Sequence, residues 1–157
     1  MRKRNLFSIL FYIISAELVG GLSALITGSF SDFFLTYKQP PLLPPGWLFP
    51  VVWVILYAVM GYSAYRISIT KAPDEKKKGA LTVYWAQLAV NFLWSIIFFK
   101  AELLWGGVAV IVLLLILIAV MLTLFYKLDK VAAFINIPYL LWVLFAAYLN
   151  IATAVIN

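Results

Sequence analysis

The sequence predicts an all-α integral membrane protein, a single bundle of five transmembrane helices with a long first loop as its lid. Three observations predict this class. Hydrophobic residues make up 66% of the 157 residues and charged residues only 11%, whereas soluble domains have about 45–50% and about 25%. Five apolar stretches reach the length of a membrane span, and the basic residues are concentrated at the ends of these stretches.

The spans are predicted from the roughly 20 apolar residues that a helix needs to cross a hydrocarbon core about 30 Å thick. They cover about residues 6–26, 47–69, 80–99, 103–126 and 131–156, and we expect one domain over residues 1–157. The first stretch is too long for the apolar region of a signal peptide and leads into four further spans, so we expect it to be retained. Short connections at 100–102 and 127–130 make sequential helices antiparallel neighbours.

The first connection, at about 27–46, is longer than the others and contains Pro40, Pro41, Pro44 and Pro45. Proline restricts the backbone to extended or turn conformations, and long loops often close over binding sites. We therefore expect a lid over the outer mouth of the bundle. A plain connector is the alternative.

The composition also excludes several kinds of chemistry. The chain has no cysteine and no histidine. It therefore has no disulfide, no thiolate nucleophile and no axial ligand of the usual kind for haem, and we expect no metal site. Aromatic rings, amides and a few carboxylates remain as functional groups.

The distribution of the 12 basic residues predicts orientation and argues against a nucleic-acid partner. Ten lie on the N-terminal side of the predicted bundle, and only Lys38 and Lys100 lie on the other. Loops rich in Lys and Arg stay in the cytoplasm. We expect a bacterial plasma-membrane protein with a cytoplasmic N-terminus and an external C-terminus.

Three spans carry stripes of aromatic and polar side chains at helical spacing. The stripes are Trp53, Tyr57 and Met60 on the second span; Tyr84, Gln87, Asn91 and Trp94 on the third; and Pro138, Trp142, Phe145 and Leu149, with Ala146 beside them, on the fifth. At a rise of about 1.5 Å per residue these stripes overlap in depth, which predicts a cavity lined by aromatic rings and amides. Ordinary interior packing with hydrogen bonds between helices is the alternative. Pro138 is expected to kink the fifth span.

Two features of the first span allow more than one interpretation. Ala16, Gly20, Ala24 and Gly28 place a small residue at every fourth position, which permits close helix packing either within the bundle or at a dimer seam. Glu17 lies near the middle of the membrane, where carboxyl groups are costly and usually functional. A protonated glutamic acid bonded to a neighbouring helix is the alternative.

Three motifs resemble those of the tryptophan-rich sensory protein/translocator protein family, also called TspO/MBR or the peripheral-type benzodiazepine receptors. The first is PPGWLFPVVW at residues 44–53, continuing to Leu56-Tyr57 and Met60-Gly61. The second comprises Gln87-Leu88, Asn91, Trp94 and Phe98-Phe99. The third comprises Pro138-Tyr139-Leu140, Trp142, Phe145-Ala146 and Leu149-Asn150. The motifs occur in order and cover most of the chain.

The resemblance implies a homodimeric five-helix bundle that binds porphyrins such as protoporphyrin IX, and isoquinoline- and benzodiazepine-type drugs. It also implies cholesterol binding in animal relatives and, in some bacterial ones, porphyrin degradation in light and oxygen. Carried over by motif, the ligand-binding positions are Pro44, Pro45, Trp47, Tyr57, Gln87, Asn91, Trp94, Phe145, Ala146 and Leu149, and the positions tied to degradation are Trp53 and Trp142. The porphyrin is a ligand or substrate, and no covalently bound cofactor is expected.

This chain departs from the family pattern in its loop. Gln39-Pro40 and Leu42 stand where the family usually has Lys-Pro and a tryptophan, and Phe33-Phe34 stand where it often has Trp-Tyr. No basic residue follows Lys130, so Tyr148 cannot complete the cholesterol pattern of the fifth helix. We do not expect cholesterol as the natural ligand.

Three hypotheses about function follow. The first is a membrane receptor for tetrapyrroles, with light-dependent degradation of the bound porphyrin as a further activity, because flat apolar rings stack on Trp and Tyr. The second is a small dimeric proton-coupled transporter that uses Glu17 as its proton carrier. The third is an assembly or signalling partner without a ligand.

Overall fold

The computed structural model describes residues 2–157, apart from the side chains of residues 2–5 and 31. The side chains of Arg2, Lys3 and Arg4, on which part of the predicted orientation depends, therefore lie outside the described residues. The helices are α1 (Arg2–Thr27), α2 (Phe30–Thr36), α3 (Leu48–Ile69), α4 (Asp74–Ser95, continued by a π-helical turn, Ile96–Lys100), α5 (Leu104–Leu128), α6 (Lys130–Phe134) and α7 (Ile137–Ile156). No strand occurs in residues 2–157.

Five helical segments are long and apolar enough to cross a membrane, which confirms the predicted fold class. They are Leu6–Thr36, Leu48–Ile69, Asp74–Lys100, Leu104–Leu128 and Lys130–Ile156. The third begins six residues earlier than the predicted residue 80, because Asp74 and Glu75 stand in the first turn of α4, where the helix dipole favours negative charge. The protein is an integral membrane protein.

The fifth span is interrupted where the sequence predicts a kink. Helix α6 ends at Phe134, and α7 begins at Ile137 with Pro138 in its first turn. Proline is well tolerated there because the first amides of a helix have no partner within it. The side chain of Asp129 starts α6 by accepting hydrogen bonds from the amides of Val131 and Ala132, at 2.9 and 3.2 Å.

The long first connection, which the sequence predicts to be an irregular loop, contains the helix α2. Gly28, with a φ of +83°, ends α1, and the hydroxyl of Ser29 then accepts a hydrogen bond from the amide of Asp32 at 3.4 Å. The rings of Phe33 and Phe34 are buried. Helix α2 thus packs its aromatic face against the bundle.

The rest of this connection, Tyr37–Trp47, is tied to one end of the bundle, called here the loop end. The hydroxyl of Tyr37 donates to Glu102 at 2.8 Å, and that of Tyr148 donates to the carbonyl of Pro41 at 2.9 Å. The side chain of Asn157 bonds both the amide and the carbonyl of Lys38. These contacts hold the segment across the end of the helices, as expected of a lid.

Helix α1 packs against α3 and α4, and α5 packs between α4 and α7. The contact of α1 with α3 is close because both helices have glycine there. A Cβ on Gly20 would overlap the ring of Tyr57, and one on Gly61 would lie 2.6 Å from the backbone of Ile13. Ala16 is also fully buried. At Ala16 and Gly20, therefore, the stripe of small residues makes a contact within the bundle.

Candidate ligand site between α1, α3 and α4

A cavity of about 140 Å³, called here the bundle cavity, lies between α1, α3 and α4. Its wall is mostly apolar. Helix α1 contributes small residues and one carboxyl group, whereas α3 and α4 contribute aromatic rings and an amide. The lining residues are Glu17, Gly20, Gly21, Ser23, Ala24, Phe30, Pro50, Trp53, Val54, Tyr57, Asn91, Trp94 and Ser95.

The aromatic part of the wall is centred on Trp53. Its ring lies 5.6 Å from that of Tyr57 and 5.9 Å from that of Trp94, at interplanar angles of 33° and 42°. All three side chains are buried. Rings one turn apart on α3 and a third ring on α4 thus form a continuous surface on which a flat apolar molecule can stack.

A hydrogen-bond network holds this wall in place from behind. The hydroxyl of Tyr139 donates to Oε1 of Gln87 at 2.6 Å and accepts from Nδ2 of Asn91 at 3.3 Å. Nε1 of Trp94 donates to Oδ1 of Asn150 at 2.8 Å. Because these groups are buried in a protein that spans a membrane, water cannot serve as their hydrogen-bond partner. Each of these bonds therefore satisfies a buried polar atom. The network joins α4 to α7 and fixes the rings of the wall.

Glu17, on α1, carries the single carboxyl group among the residues that line the cavity. Its side chain is half-buried. Within the part of the chain that the structure describes, it makes no hydrogen bond or ion pair. The hydroxyls of Thr27 and Ser95 are hydrogen-bonded to each other at 2.9 Å and join α1 to α4 closer to the loop end.

The structure brings four of the predicted site residues to the cavity wall: Trp53, Tyr57, Asn91 and Trp94. Gln87 is buried in the network behind the wall, and Ala146 and Leu149 are buried on α7. Pro44 and Pro45 line a separate recess beneath the loop, and Trp47 is 67% exposed. The predicted set is thus distributed over several surfaces.

Trp142 and Phe145 do not line the bundle cavity, contrary to the expectation that Trp53 and Trp142 both point toward it. Both line a shallow groove between α3 and α7, with the ring of Phe49 5.9 Å from that of Trp142. The predicted stripe of α7 is displaced because the inner face of the helix carries Tyr139 and Asn150 instead. Their hydroxyl and amide groups require the buried hydrogen bonds described above.

Residues of α1 complete the cavity but lie outside the recognised motifs. Gly20, Gly21 and Ala24 belong to or adjoin the stripe of small residues, which could have indicated a wall that leaves room for a ligand. Tyr139 belongs to the third motif, and its position on a buried face is the signal for its role in the network. Pro50 belongs to the first motif, whereas Phe30 and Ser95 have no comparable sequence signal.

The cavity is small for the ligands that the resemblance implies. Pockets for drug-sized molecules usually enclose about 300–1,000 Å³, against about 140 Å³ here. A large flat ligand must therefore displace part of the wall. Among the side chains that the structure describes, no group of three or more Cys, Asp or Glu is placed to hold a metal ion. The aromatic rings and the amide on the cavity wall suit stacking and hydrogen bonding.

Comparisons with known proteins agree with this architecture. Protein CrtK of Rhodobacter capsulatus is 35% identical over 147 residues, covering 93% of this chain and 90% of that protein. The tryptophan-rich protein TspO of Chlorobaculum tepidum is 35% identical over 127 residues, 81% of this chain and 80% of that protein. The human translocator protein is 34% identical over 131 residues, 82% and 76% respectively. The TspO/MBR family model matches residues 10–156, and the chain therefore belongs to the TspO/MBR family.

Proposed function

We propose that this protein is a receptor for porphyrins such as protoporphyrin IX, and for isoquinoline- and benzodiazepine-type ligands, which bind in the bundle cavity. The observation that carries the proposal is the aromatic wall formed by Trp53, Tyr57 and Trp94 inside a membrane-spanning bundle. Membership of the TspO/MBR family supports a binding role in the membrane. A flat macrocycle would stack on these rings, with Asn91 offering a hydrogen bond.

The proposal includes the setting of the receptor. We infer a homodimer in a bacterial plasma membrane, with the N-terminus in the cytoplasm, the C-terminus outside and the prolines of the loop above the ligand. The orientation is supported by the ten basic residues on one side of the spans. Because Ala16 and Gly20 are used within the bundle, the second copy packs against another face.

Binding is tested by titrating the detergent-purified protein with protoporphyrin IX in the dark and following the Soret absorbance of the porphyrin. Trp53→Phe keeps an aromatic face but shortens it, and should weaken binding by up to about 1–2 kcal/mol, roughly tenfold. Trp105→Phe is the matched control, because Trp105 is 62% exposed on α5 and lies outside the cavity. Equal affinities of the two variants would contradict binding against the aromatic wall. A wild-type protein without a Soret shift would favour an assembly partner without a ligand.

Light-dependent degradation is the second part of the proposal. The photoexcited porphyrin stacked on Trp53 takes one electron from the indole, which leaves a porphyrin radical anion and an indole radical cation. Molecular oxygen adds to the radical anion, the adduct returns the electron to the indole, and cleavage of the O–O bond opens the porphyrin ring. Trp142 contacts Phe49 and does not line the cavity, so it would act as a secondary electron donor. We expect Trp53→Phe to slow bleaching under light and oxygen far more than it weakens dark binding, and Trp142→Phe to slow it less. Bleaching at the wild-type rate in both variants would refute the role of the pair.

Proton-coupled transport is the alternative function, favoured by Glu17. This carboxyl group is on the cavity wall within a membrane span and has no hydrogen-bond or ion-pair partner among the described residues. Ionisable groups at such positions commonly mark proton pathways. In vesicles, ligand uptake driven by a pH gradient and abolished by Glu17→Gln would support transport. Unchanged dark porphyrin binding together with absent uptake in the wild type would leave the receptor as the function.

A further inference from the structure

A further hollow, called here the lysine groove, lies at the end of the bundle opposite the loop. It encloses about 590 Å³ where α3 passes into α4 and where α5 ends. Helices α3, α4 and α5 are membrane spans, so this hollow lies where the bundle leaves the hydrocarbon. Its lining residues are Lys71, Ala72, Pro73, Lys76, Gly79, Ala80, Leu124, Lys127 and Leu128.

The charge of the lysine groove is entirely positive. Lys71, Lys76 and Lys127 line it, and no acidic residue does. The acidic residues that adjoin it in sequence include two that are already paired with other cations: Asp74 lies 2.9 Å from Lys77, and Asp129 lies 2.8 Å from Arg66. Within the described part of the chain, none of the three groove lysines has an ion-pair partner. Glu75, next to Lys76 in sequence, does not line the groove. The groove therefore presents three ammonium groups that have no ion-pair partner.

The inner side of the lysine groove is apolar. Ala80 is buried, and Leu124 and Leu128 are half-buried on the last turns of α5. The same helix presents large hydrophobic side chains such as Val120 to the surroundings. Gly79 contributes empty space, because a Cβ built on it would meet nothing within 4 Å. A ligand that fits has an anionic head for the lysines and apolar chains that continue along α5.

We propose that the lysine groove binds the headgroup of an anionic phospholipid from the adjacent leaflet. The lysines contact its phosphate, Gly79 leaves room for it, and the acyl chains lie against the outer face of α5. Basic pockets between transmembrane helices at the membrane surface commonly hold such headgroups. The site is separate from the bundle cavity, which opens between α1, α3 and α4, and the proposal does not depend on porphyrin binding.

The test measures which lipids the full-length protein retains from mixed micelles containing equal amounts of phosphatidylglycerol and phosphatidylcholine, counted by native mass spectrometry. We expect the wild type to retain phosphatidylglycerol preferentially. The triple variant Lys71→Gln, Lys76→Gln, Lys127→Gln should lose that preference at least tenfold. The control triple variant Lys38→Gln, Lys78→Gln, Lys100→Gln removes the same charge outside the groove and should keep it.

A second variant blocks the groove without changing its charge. Gly79→Leu fills the empty space and replaces glycine by a better helix former within α4, so it should fold normally but retain less phosphatidylglycerol. Equal loss in both triple variants would overturn the proposal in favour of unspecific attraction, and so would full retention in the groove triple variant. Inorganic phosphate is added in a parallel titration. If it displaces phosphatidylglycerol at equal concentration, the site binds free phosphate and the lipid assignment is wrong.

Discussion

Replacing Gly20 by alanine should destabilise the bundle, because the new methyl group has no room. A Cβ at this position would overlap Cε2 of Tyr57 and lie 2.5 Å from Cδ2 and 2.9 Å from Cζ of the same ring. Tyr57 is buried and packs against Trp53, so its ring can move only by disturbing the aromatic wall. The ring or α1 must shift by about 1 Å, and forced overpacking of this kind costs about 1–3 kcal/mol.

Two neighbouring glycines provide a graded comparison. Gly61→Ala should cost more than Gly20→Ala, because its Cβ would lie 2.6 Å from Cα of Ile13 and from the carbonyl oxygen of Tyr12, and backbone yields less easily than a side chain. Gly21→Ala is the matched control, since its Cβ would meet nothing within 4 Å. That variant should be neutral or more stable by up to about 1 kcal/mol, owing to the higher helix propensity of alanine.

The assay is thermal unfolding of each variant in one detergent, with oligomeric state followed by size-exclusion chromatography with light scattering. The expected order of stability is Gly21→Ala, wild type, Gly20→Ala and Gly61→Ala, from highest to lowest. If Gly20→Ala is as stable as Gly21→Ala, the close contact of α1 with Tyr57 is wrong. If it instead dissociates a dimer without lowering the unfolding temperature, Gly20 lies at a dimer seam.

Three further predictions concern the polar network, the loop and the orientation. Tyr139→Phe removes the hydroxyl that donates to Gln87 at 2.6 Å and leaves a buried amide oxygen unpaired, so thermal unfolding should show a loss of about 1–3 kcal/mol. The hydrogen bond to Glu102 raises the pKa of Tyr37 above its usual value. That link therefore stabilises the loop below about pH 10 and is lost as pH rises through the raised pKa, which fluorescence anisotropy of a dye on the loop should report as a mobility increase absent from Tyr37→Phe. The chain has no cysteine, so the variant Lys77→Cys carries a single thiol. This thiol should be labelled only after the membrane is permeabilised, and labelling in intact cells would show the opposite topology.

The sequence predicts the inner faces of α3 and α4 well, because both helices carry aromatic and polar side chains at helical spacing. Trp53 and Tyr57 on α3, and Asn91 and Trp94 on α4, all line the cavity, as helical spacing and depth indicate. The same reasoning fails on α7, where the stripe of large apolar rings at Trp142 and Phe145 is taken as the inner face. In a membrane, apolar rings are equally stable against lipid, whereas hydroxyl and amide groups must find partners inside the protein.

Two other features were missed for different physical reasons. Helix α2 has a sequence signal, since Gly28-Ser29 followed by Asp32 is a helix stop and a new start, but the prolines that follow suggest an irregular loop. The α1 wall of the cavity has no specific sequence signal. Whether Gly20 faces Tyr57 or a second copy of the chain depends on how the helices are rotated against each other, and a small-residue stripe fits both.

The two sides of the cavity differ in how they are held, which suggests how the bundle would make room for the proposed ligand. The α3 and α4 side is rigid, since Trp53 packs between Tyr57 and Trp94, and Trp94 is hydrogen-bonded to Asn150 of α7. Helix α1 meets that side through small residues at Gly20 and Gly21 and is bonded to α4 by Thr27 and Ser95 closer to the loop end. Because glycine contributes no side chain to this contact, we expect the cavity to widen by an outward movement of α1 near Gly20 and Gly21. The aromatic wall then keeps its geometry, and Glu17 moves with the helix that opens.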